Sequence, residues 1–379
     1  MKYIKLKEVC MINMGQSPDS SSYNEKKEGI PFYQGNADFG EKYPITRVWC
    51  NTPIKIAQSG DILISVRAPI GALNYAKEEC CIGRGLAAIT PDKEKMSLEF
   101  VYWFLKGKNL ELNRKGTGST FKAISRKVLE EIMIPDINLK KQCEYANVLE
   151  KIHAAIQMRK QELKHLDFLL KARFVEMFGN PATPGDKFKT CKLGEVADVK
   201  SSHRVFTTEF VAEGVPFYRG TEIGVLASGQ QPEDSYRISM EHYRKIASDD
   251  SKPMRGDLLL PSICNKGQVW MVDTDEPFYY KDGRVLCISP ERSVFDSRYL
   301  QFYMKLRTEA EYPKLGSGST FAEFKIFQLK ELEVDIPPMN SQKSFDLFAD
   351  QVDKSKVAIQ KALDKTQMLF DSLMQEYFG

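Results

Sequence analysis

The stretch Asn138–Gly179 begins Asn-Leu-Lys-Lys-Gln-Cys-Glu-Tyr and ends Phe-Val-Glu-Met-Phe-Gly, and its reading decides the fold. Stepping from position 145 alternately by four and three gives Tyr145, Leu149, Ile152, Ile156, Arg159, Leu163, Leu166, Leu170, Arg173 and Met177. Adding 200 gives Phe345, Ala349, Val352, Lys356, Ile359, Leu363, Thr366, Phe370, Leu373 and Tyr377, all within Asn340–Gly379. Both sets place mainly apolar residues at a mean spacing of about 3.5, the coiled-coil period. Both stretches close on the same dipeptide, Phe178-Gly179 and Phe378-Gly379. One such stripe is what any amphipathic helix shows when it packs on its own domain. Two stripes in a common frame, each ending a repeat, point instead to two helices that pack on one another. Each stretch is about 39 residues, so at about 1.5 Å per residue it spans about 58 Å and serves as a spacer. Arg159, Arg173, Lys356 and Thr366 interrupt the seams, either setting register or snorkelling to solvent.

A chain of 379 residues is two or three domains by length. Its 42% hydrophobic and 28% charged residues are those of a soluble globular protein. It has no run of about 18 apolar residues, so no membrane span is expected. The start Met1-Lys2-Tyr3-Ile4-Lys5-Leu6 lacks an apolar signal-peptide core and reads as a folded N-terminus. The eight cysteines are scattered, and Cys80-Cys81 are adjacent rather than spaced for a metal. Neither a disulfide framework nor a zinc site is expected, which fits the reducing cytoplasm. The four histidines, His153, His165, His203 and His242, lie far from any cysteine pair and read as surface or seam residues. A net charge of +3 is too mild to argue nucleic acid without a local collection of basic groups.

An internal repeat covers nearly the whole chain. Lys5-Leu6-Lys7-Glu8-Val9 returns as Lys192-Leu193-Gly194-Glu195-Val196, and Ile30-Pro31-Phe32-Tyr33-Gln34-Gly35 as Val215-Pro216-Phe217-Tyr218-Arg219-Gly220. Gly60-Asp61-Ile62-Leu63-Ile64 returns as Gly256-Asp257-Leu258-Leu259-Leu260, and Gly83-Arg84 pairs with Gly283-Arg284. Gly116-x-Gly118-Ser119-Thr120-Phe121 returns as Gly316-x-Gly318-Ser319-Thr320-Phe321, and Ile134-Pro135 as Ile336-Pro337. The offset grows from 185 to about 200, which marks a domain duplication with insertions rather than a solenoid. Within each half, Ile62–Val66, Leu86–Ile89, Leu258–Leu260, Val269–Val272 and Val285–Ile288 read as buried strands. Ser97 and Ser297 read as N-caps of helices Leu98–Lys106 and Arg298–Arg307. The polar stretches Gly15–Lys27 and Ser201–Glu213 read as loops. Asn180–Lys187, with Pro181, Pro184 and Gly185, reads as a linker. The expected fold is α/β (α+β): two similar globular halves with mixed sheets, and two long helices forming an antiparallel coiled coil with a pseudo-two-fold.

Catalytic signatures are missing. There is no G-x-x-x-x-G-K-[ST], G-x-G-x-x-G, H-E-x-x-H or G-x-S-x-G, and Ile336-Pro337-Pro338-Met339 has the wrong flanks for an adenine methyltransferase motif. Asp61 and Asp257, each after a glycine and before a strand, read as turn residues rather than catalytic carboxylates.

Two divergent globular halves, each followed by a near-matching long helix, resemble the specificity (S) subunit of type I restriction–modification enzymes. The resemblance rests on the repeated Gly-Ser-Thr-Phe segments, on Ile134-Pro135 and Ile336-Pro337-Pro338, and on Gln142 and Gln342 opening helices that end at Phe-Gly. The first copy departs, with Asp136-Ile137 where the second has Pro338-Met339. The resemblance implies two target recognition domains, 1–137 and 181–338, each reading one part of a bipartite double-stranded DNA sequence. It implies spacer helices 138–180 and 339–379 that set the gap and dock two methylation subunits, with restriction and motor subunits completing the complex. The seam residues are Leu149, Ile152, Ile156, Leu163, Leu166 and Leu170, with Val352, Ile359, Leu363, Phe370 and Leu373. S-adenosylmethionine would bind the partner methylation subunits. This chain would hold no cofactor or metal, perform no DNA methylation or cleavage itself, and work in the cytoplasm. At about 34 Å per DNA turn, a spacer near 58 Å can set two domains one to two turns apart.

Comparison of the two copies nominates contact residues. Gln34-Gly35-Asn36 stands where the second copy has Arg219-Gly220-Thr221, and glutamine or asparagine suits adenine as arginine suits guanine. Arg67 faces Ile263, and Ile70 faces Lys266, in the same frame. The base-reading candidates are therefore Gln34, Asn36, Arg67, Arg219, Thr221 and Lys266; the competing reading is a solvated surface free to vary. Arg84, Ser119, Thr120, Lys122, Arg284, Ser319 and Thr320 are phosphate candidates, against a plain turn for the Gly-Ser-Thr loops. Tyr33 and Tyr218 are expected to pack in the core or on a sugar. Three rivals stand beside this reading: a self-contained DNA-modifying enzyme, which needs a cofactor motif; a protein-interaction scaffold without DNA readout, which lacks a salt-dependent DNA affinity; and an inactive relative that binds methylation subunits without directing them.

Overall fold

The computed structural model describes residues 2–117, 122–247, 251–315 and 322–379, so Ser119, Thr120, Ser319 and Thr320 lie outside the described residues. The chain divides into two compact units, Met1–Gln161 with Gln360–Gly379, and Glu162–Ile359. Two helices of 40 residues, Leu139–Phe178 and Met339–Phe378, are each shared between the units. Every long helix thus gives its first half to the unit of the globular half before it.

In the first unit an antiparallel pair, Tyr3–Lys5 with Met133–Pro135, joins chain entry to chain exit. A four-stranded antiparallel sheet follows in the order Cys10–Met14, Leu86–Pro91, Ile62–Ser65 and Leu73–Tyr75. A second, mixed sheet has the order Tyr23–Asn24, Val48–Cys50, Ile30–Tyr33, Cys80–Ile82 and Ile56–Ala57. In it Ile30–Tyr33 and Cys80–Ile82 run parallel. The second unit repeats the plan. Thr190–Lys192 pairs with Glu333–Asp335. Ala197–Lys200, Val285–Pro290, Leu258–Pro261 and Trp270–Met271 form the antiparallel sheet. Phe210–Val211, Tyr236–Ile238, Val215–Tyr218 and Tyr279–Tyr280 form the mixed one, its last pair parallel.

The two Gly-Asp turns show why the central strands start where they do. Gly60 and Gly256 have φ of 89° and 84°, left-handed conformations that favour glycine. The buried Asp61 carboxylate then accepts from Gln58 N at 2.8 Å and Thr90 Oγ1 at 2.6 Å. Asp257 accepts from Met254 N at 2.9 Å, Ser289 Oγ at 2.8 Å and Arg292 Nη2 at 3.0 Å. Both aspartates are turn locks.

Two local expectations shift. The second globular helix runs Ser297–Glu311 and its N-cap is Asp296, whose Oδ1 accepts from Arg298 N and Tyr299 N; Ser297 is the first helical residue. A carboxylate at this place accepts from the free N–H groups and also sets a negative charge at the positive end of the helix dipole, which a hydroxyl does not. Ser97 does cap Leu98–Gly107, accepting from Phe100 N. The polar stretches 15–27 and 201–213 contain the short edge strands Tyr23–Asn24 and Phe210–Val211.

Within each unit the helix halves run antiparallel and cap a globular aromatic cluster. In the first, Tyr145 stacks on Tyr377 at 3.8 Å, Arg159 donates to Thr366, and Trp103 packs on both His153 and Phe370. Phe378 meets Phe100 and Phe104. In the second, Phe174 and Phe178 meet Phe345 and Tyr299, and Lys356 pairs with Asp167. All eleven seam residues named from the sequence are buried or half-buried. Of the four seam interruptions, Arg159, Thr366 and Lys356 make cross-helix polar contacts, and Arg173 pairs with Glu176 on its own helix.

Leu149→Ala, at a side chain with no exposure, should cost about 2–5 kcal/mol. Phe168→Ala, at a residue 70% exposed, should stay within about 0.5 kcal/mol. Urea midpoints of the two variants check the assignment of seam and surface. His153 supplies a pH test. Burial, helped by the Lys106 and Lys160 ammonium groups, holds its imidazolium down to about 4. Lys106 Nζ and Gln157 Nε2 each lie 3.2 Å from its Nε2. The unfolded chain takes the proton near 6.5 and the folded chain only near 4. The neutral ring's contribution is therefore complete above 6.5 and lost as pH falls toward 4. His153→Gln should flatten the melting temperature across that window, and an unchanged profile would count against a buried neutral ring.

Candidate nucleic-acid interface

In the first unit one hydrogen-bonded frame gathers most of the nominated positions at the sheet ends. Gly85 N donates to Gln34 O at 3.1 Å, Val66 N to Gly85 O at 2.8 Å, and Ala68 N to Lys122 O at 3.0 Å. Gln34, Arg67, Arg84 and Lys122 thereby fall on neighbouring loops, with all four side chains exposed. Asn36 opens the short 3-10 turn Asn36–Asp38 and is half-buried. The Asp38 carboxylate accepts from Gln34 N at 2.8 Å and Gly35 N at 3.3 Å, which fixes the loop after Tyr33. Tyr33 itself is buried, its hydroxyl against Thr46.

The second unit builds the same frame with different side chains. Ser262 N donates to Arg284 O at 2.9 Å and Phe324 N to Ser262 O at 2.7 Å. Where the first unit has a short 3-10 turn, Gly220–Ala227 forms an eight-residue helix. Arg219 caps it as a fixed guanidinium. Its Nε and Nη2 donate to the Glu222 carboxylate at 3.2 and 2.8 Å, its backbone N donates at 2.8 Å, and its Cζ lies over the Tyr236 ring, 4.6 Å from the ring centre. Thr221 Oγ1 adds a fourth bond at 2.9 Å. Glu222 is only 5% exposed. Burial alone would raise its carboxyl, yet the bonds from Arg219 and Thr221 outweigh this and hold it below the usual range. Guanine readout through the Nε edge of Arg219 would have to displace Glu222, whereas the Nη edge can approach a base with the ion pair intact.

The strand register corrects one equivalence. Leu86 faces Ser65 and Val285 faces Pro261, so the copies are offset by 199 here. Val66 N bonds Gly85 O where Ser262 N bonds Arg284 O, and Arg84 N bonds Ser17 Oγ where Gly283 N bonds Ser201 Oγ. Arg84 thus matches Gly283, and Arg284 matches Gly85. The turn has three residues in the first copy, Gly83–Gly85, and four in the second, Lys281–Arg284, and the extra residue slides the Gly-Arg pair by one. Arg284 also pairs with Glu323 at 2.8 Å, whereas Arg84 is simply exposed. The exchange at 70 and 266 differs in kind: Ile70 is buried, with its carbonyl accepting from Asn109 and Asn113, while Lys266 is exposed.

Sequence comparison missed Glu222 and Tyr236 because the compared loop ended at Thr221, one residue before Glu222, and Tyr236 lies outside every repeated motif. An acid three residues after Arg219 was the available signal, since that spacing places it over the capping residue of a helix. Among the described residues no group of three or more His, Cys, Asp or Glu side chains could hold a metal ion, and no helix is long and apolar enough to cross a membrane.

Known proteins share this duplicated plan. A profile of the type I restriction modification DNA specificity domain matches residues 1–167 and again 185–366. A putative type I restriction enzyme MjaX specificity subunit of Methanocaldococcus jannaschii is 45% identical over 156 residues. That match covers 41% of this chain and 37% of the relative, well under half of its length. The type I restriction enzyme EcoBI specificity subunit of Escherichia coli is 21% identical over 414 positions, 99% of this chain and 85% of that one. A crystal structure of a type I restriction-modification system S subunit from M. genitalium aligns over 100% of this chain and 96% of its own, with a TM-score of 0.56 and 15% identity, a likeness of fold.

The buried carboxylate should hold the second loop together. Glu222→Gln should cost about 1–3 kcal/mol through lost charge-assisted bonds, and Thr221→Ala less than about 1 kcal/mol. Urea denaturation measures both, and an unmoved midpoint for Glu222→Gln would show the loop is held otherwise.

Proposed function

The chain belongs to the type I restriction–modification DNA specificity family, and from that membership we propose how its parts divide the reading of a split DNA site. Residues 1–137 and 181–338 each read one short block of double-stranded DNA. The helices 138–180 and 339–379 set the unspecific gap. The chain supplies no catalytic step. Two methylation subunits, carrying S-adenosylmethionine, modify the adenines, and motor subunits cleave unmodified DNA. The observation that carries this reading is the shared hydrogen-bonded frame at the sheet ends, which presents Gln34 in one unit and a fixed Arg219 in the other.

In each half the strand frame is the same and the exposed groups at its end differ, as expected of two readers of different sequence. Gln34, Asn36 and Arg67 are base contacts in the first block, and Arg219, Thr221 and Lys266 in the second. Arg84, Lys122 and Arg284 meet phosphates, together with Ser119, Thr120, Ser319 and Thr320. The helices expose an apolar pair at equivalent positions, Phe168-Leu169 and Met368-Leu369, at 70%, 47%, 72% and 51%. Two such places 200 residues apart suit two copies of one partner.

Mapping methyladenine across the genome of cells with and without this gene tests the proposal. One bipartite motif should lose methylation when the gene is absent; no change in any motif would sink it in favour of a scaffold. Arg219→Ala should relax discrimination at one base pair by about 5- to 150-fold, the worth of one bidentate contact. Equal weakening on every sequence would make Arg219 a phosphate or structural group.

A further inference from the structure

The two units share one joint that the seam does not require. Gln142, with no exposure, lies in the first turn of its long helix. Its Oε1 accepts from Ser97 N at 2.8 Å, and its Nε2 donates to Lys95 O at 2.9 Å and Ile137 O at 2.7 Å. Gln342, equally buried, repeats the pattern in the other unit. Its Oε1 accepts from Asp296 N at 2.8 Å, and its Nε2 donates to Val294 O at 2.9 Å and Pro337 O at 2.8 Å. The residues around the two amides differ: Ser97 in one and Asp296 in the other cap the globular helix, and the chain enters the long helix through Ile137 or Pro337. Only the amide and its three backbone partners are held in common.

Each amide therefore ties three segments in one plane: the turn before the globular helix, the exit from the last strand, and the start of the spacer helix. Apolar seam contacts are non-directional, so a helix held by them alone can roll and pitch. Hydrogen bonds fix angles as well as distances. The lever arm makes angle matter. A helix of 40 residues is about 60 Å long, so a pivot of about 3° at its start moves its far end by about 3 Å, close to the rise of one base pair.

We propose that Gln142 and Gln342 are positioning residues that lock the angle between each globular half and its spacer helix, and so set how strictly the chain holds one gap length. This rests on the reading of the chain as a split-site reader. The helix length chooses the gap, and the two amides decide the tolerance around it.

The test is methyladenine mapping in cells that carry the chain with its partner subunits, after exchange for Gln142→Met, Gln142→Glu, Gln342→Met or Gln342→Glu. Methionine keeps the volume and removes all three bonds; glutamate keeps the acceptor and loses the amide donors. Both half-site sequences should stay unchanged. Methylation at gaps one base pair longer or shorter, relative to the native gap, should rise about tenfold, equivalent to about 1.4 kcal/mol of lost gap preference. Both variants lose the two bonds that the amide nitrogen donates to backbone carbonyls, so glutamate should act in the same direction as methionine. Methylation that weakens at the native gap without appearing at neighbouring gaps overturns the proposal and leaves a purely stabilising role. Loss at every gap in all four variants does the same, since both halves would then need the amide to fold. A wild-type chain that yields no bipartite motif refutes the split-site reading itself, an outcome visible before any variant is made.

Discussion

A long helix with a narrow apolar stripe has no core of its own, and this chain meets that constraint by burying each stripe twice. The first half of each long helix closes the globular half that precedes it, and its second half closes the other. Full burial of one Leu or Phe side chain contributes about 1.5–3 kcal/mol, so the seam residues decide which faces of the helices pack. The polar pairs Arg159–Thr366 and Lys356–Asp167 add little net energy but are satisfied only when the helices meet in this order. The aromatic ends, Phe178 and Phe378, then belong to the globular cores as much as to the helices.

The loops at the sheet ends carry the groups proposed to read DNA. The antiparallel sheet with its Gly-Asp lock is nearly the same object in both units, and those proposed positions hang from its ends. Arg219 has its fork and its plane both fixed, so little conformational entropy is left to lose when it meets a partner. Gln34, on the matching loop, is held through its backbone. The two halves differ in the stiffness of these proposed reading groups as well as in chemistry.

Much of this was legible in the sequence because the duplication acts as its own control. The period of 3.5 at 145–177 and 345–377 located both long helices, and the Gly-Asp turns located the central strands. What was hidden had local causes. Two-residue strands such as Tyr23–Asn24 pair at a sheet edge and need no apolar run. The Gly-Arg pairs matched in letters but not in register, because one extra residue in the turn before Val285 slides the motif while the strand pairing holds. Cap choice between Asp296 and Ser297 turned on acceptor geometry that adjacent letters do not reveal. Tyr236 reaches Arg219 from another strand, a relation that only the structure brings together.

The cysteines carry a last consequence, in thiol chemistry. All eight are free, and burial pushes Cys10, Cys80 and Cys287 up to about 12 and Cys81 and Cys264 to about 11. Cys191 is half-buried and raised as well. Cys143, at the start of the first long helix, is exposed. Cys50 is buried as well, so an alkylating reagent at neutral pH would label this chain first at Cys143, and the native sequence already offers a preferred attachment point for a spectroscopic reporter where the first globular half meets its helix.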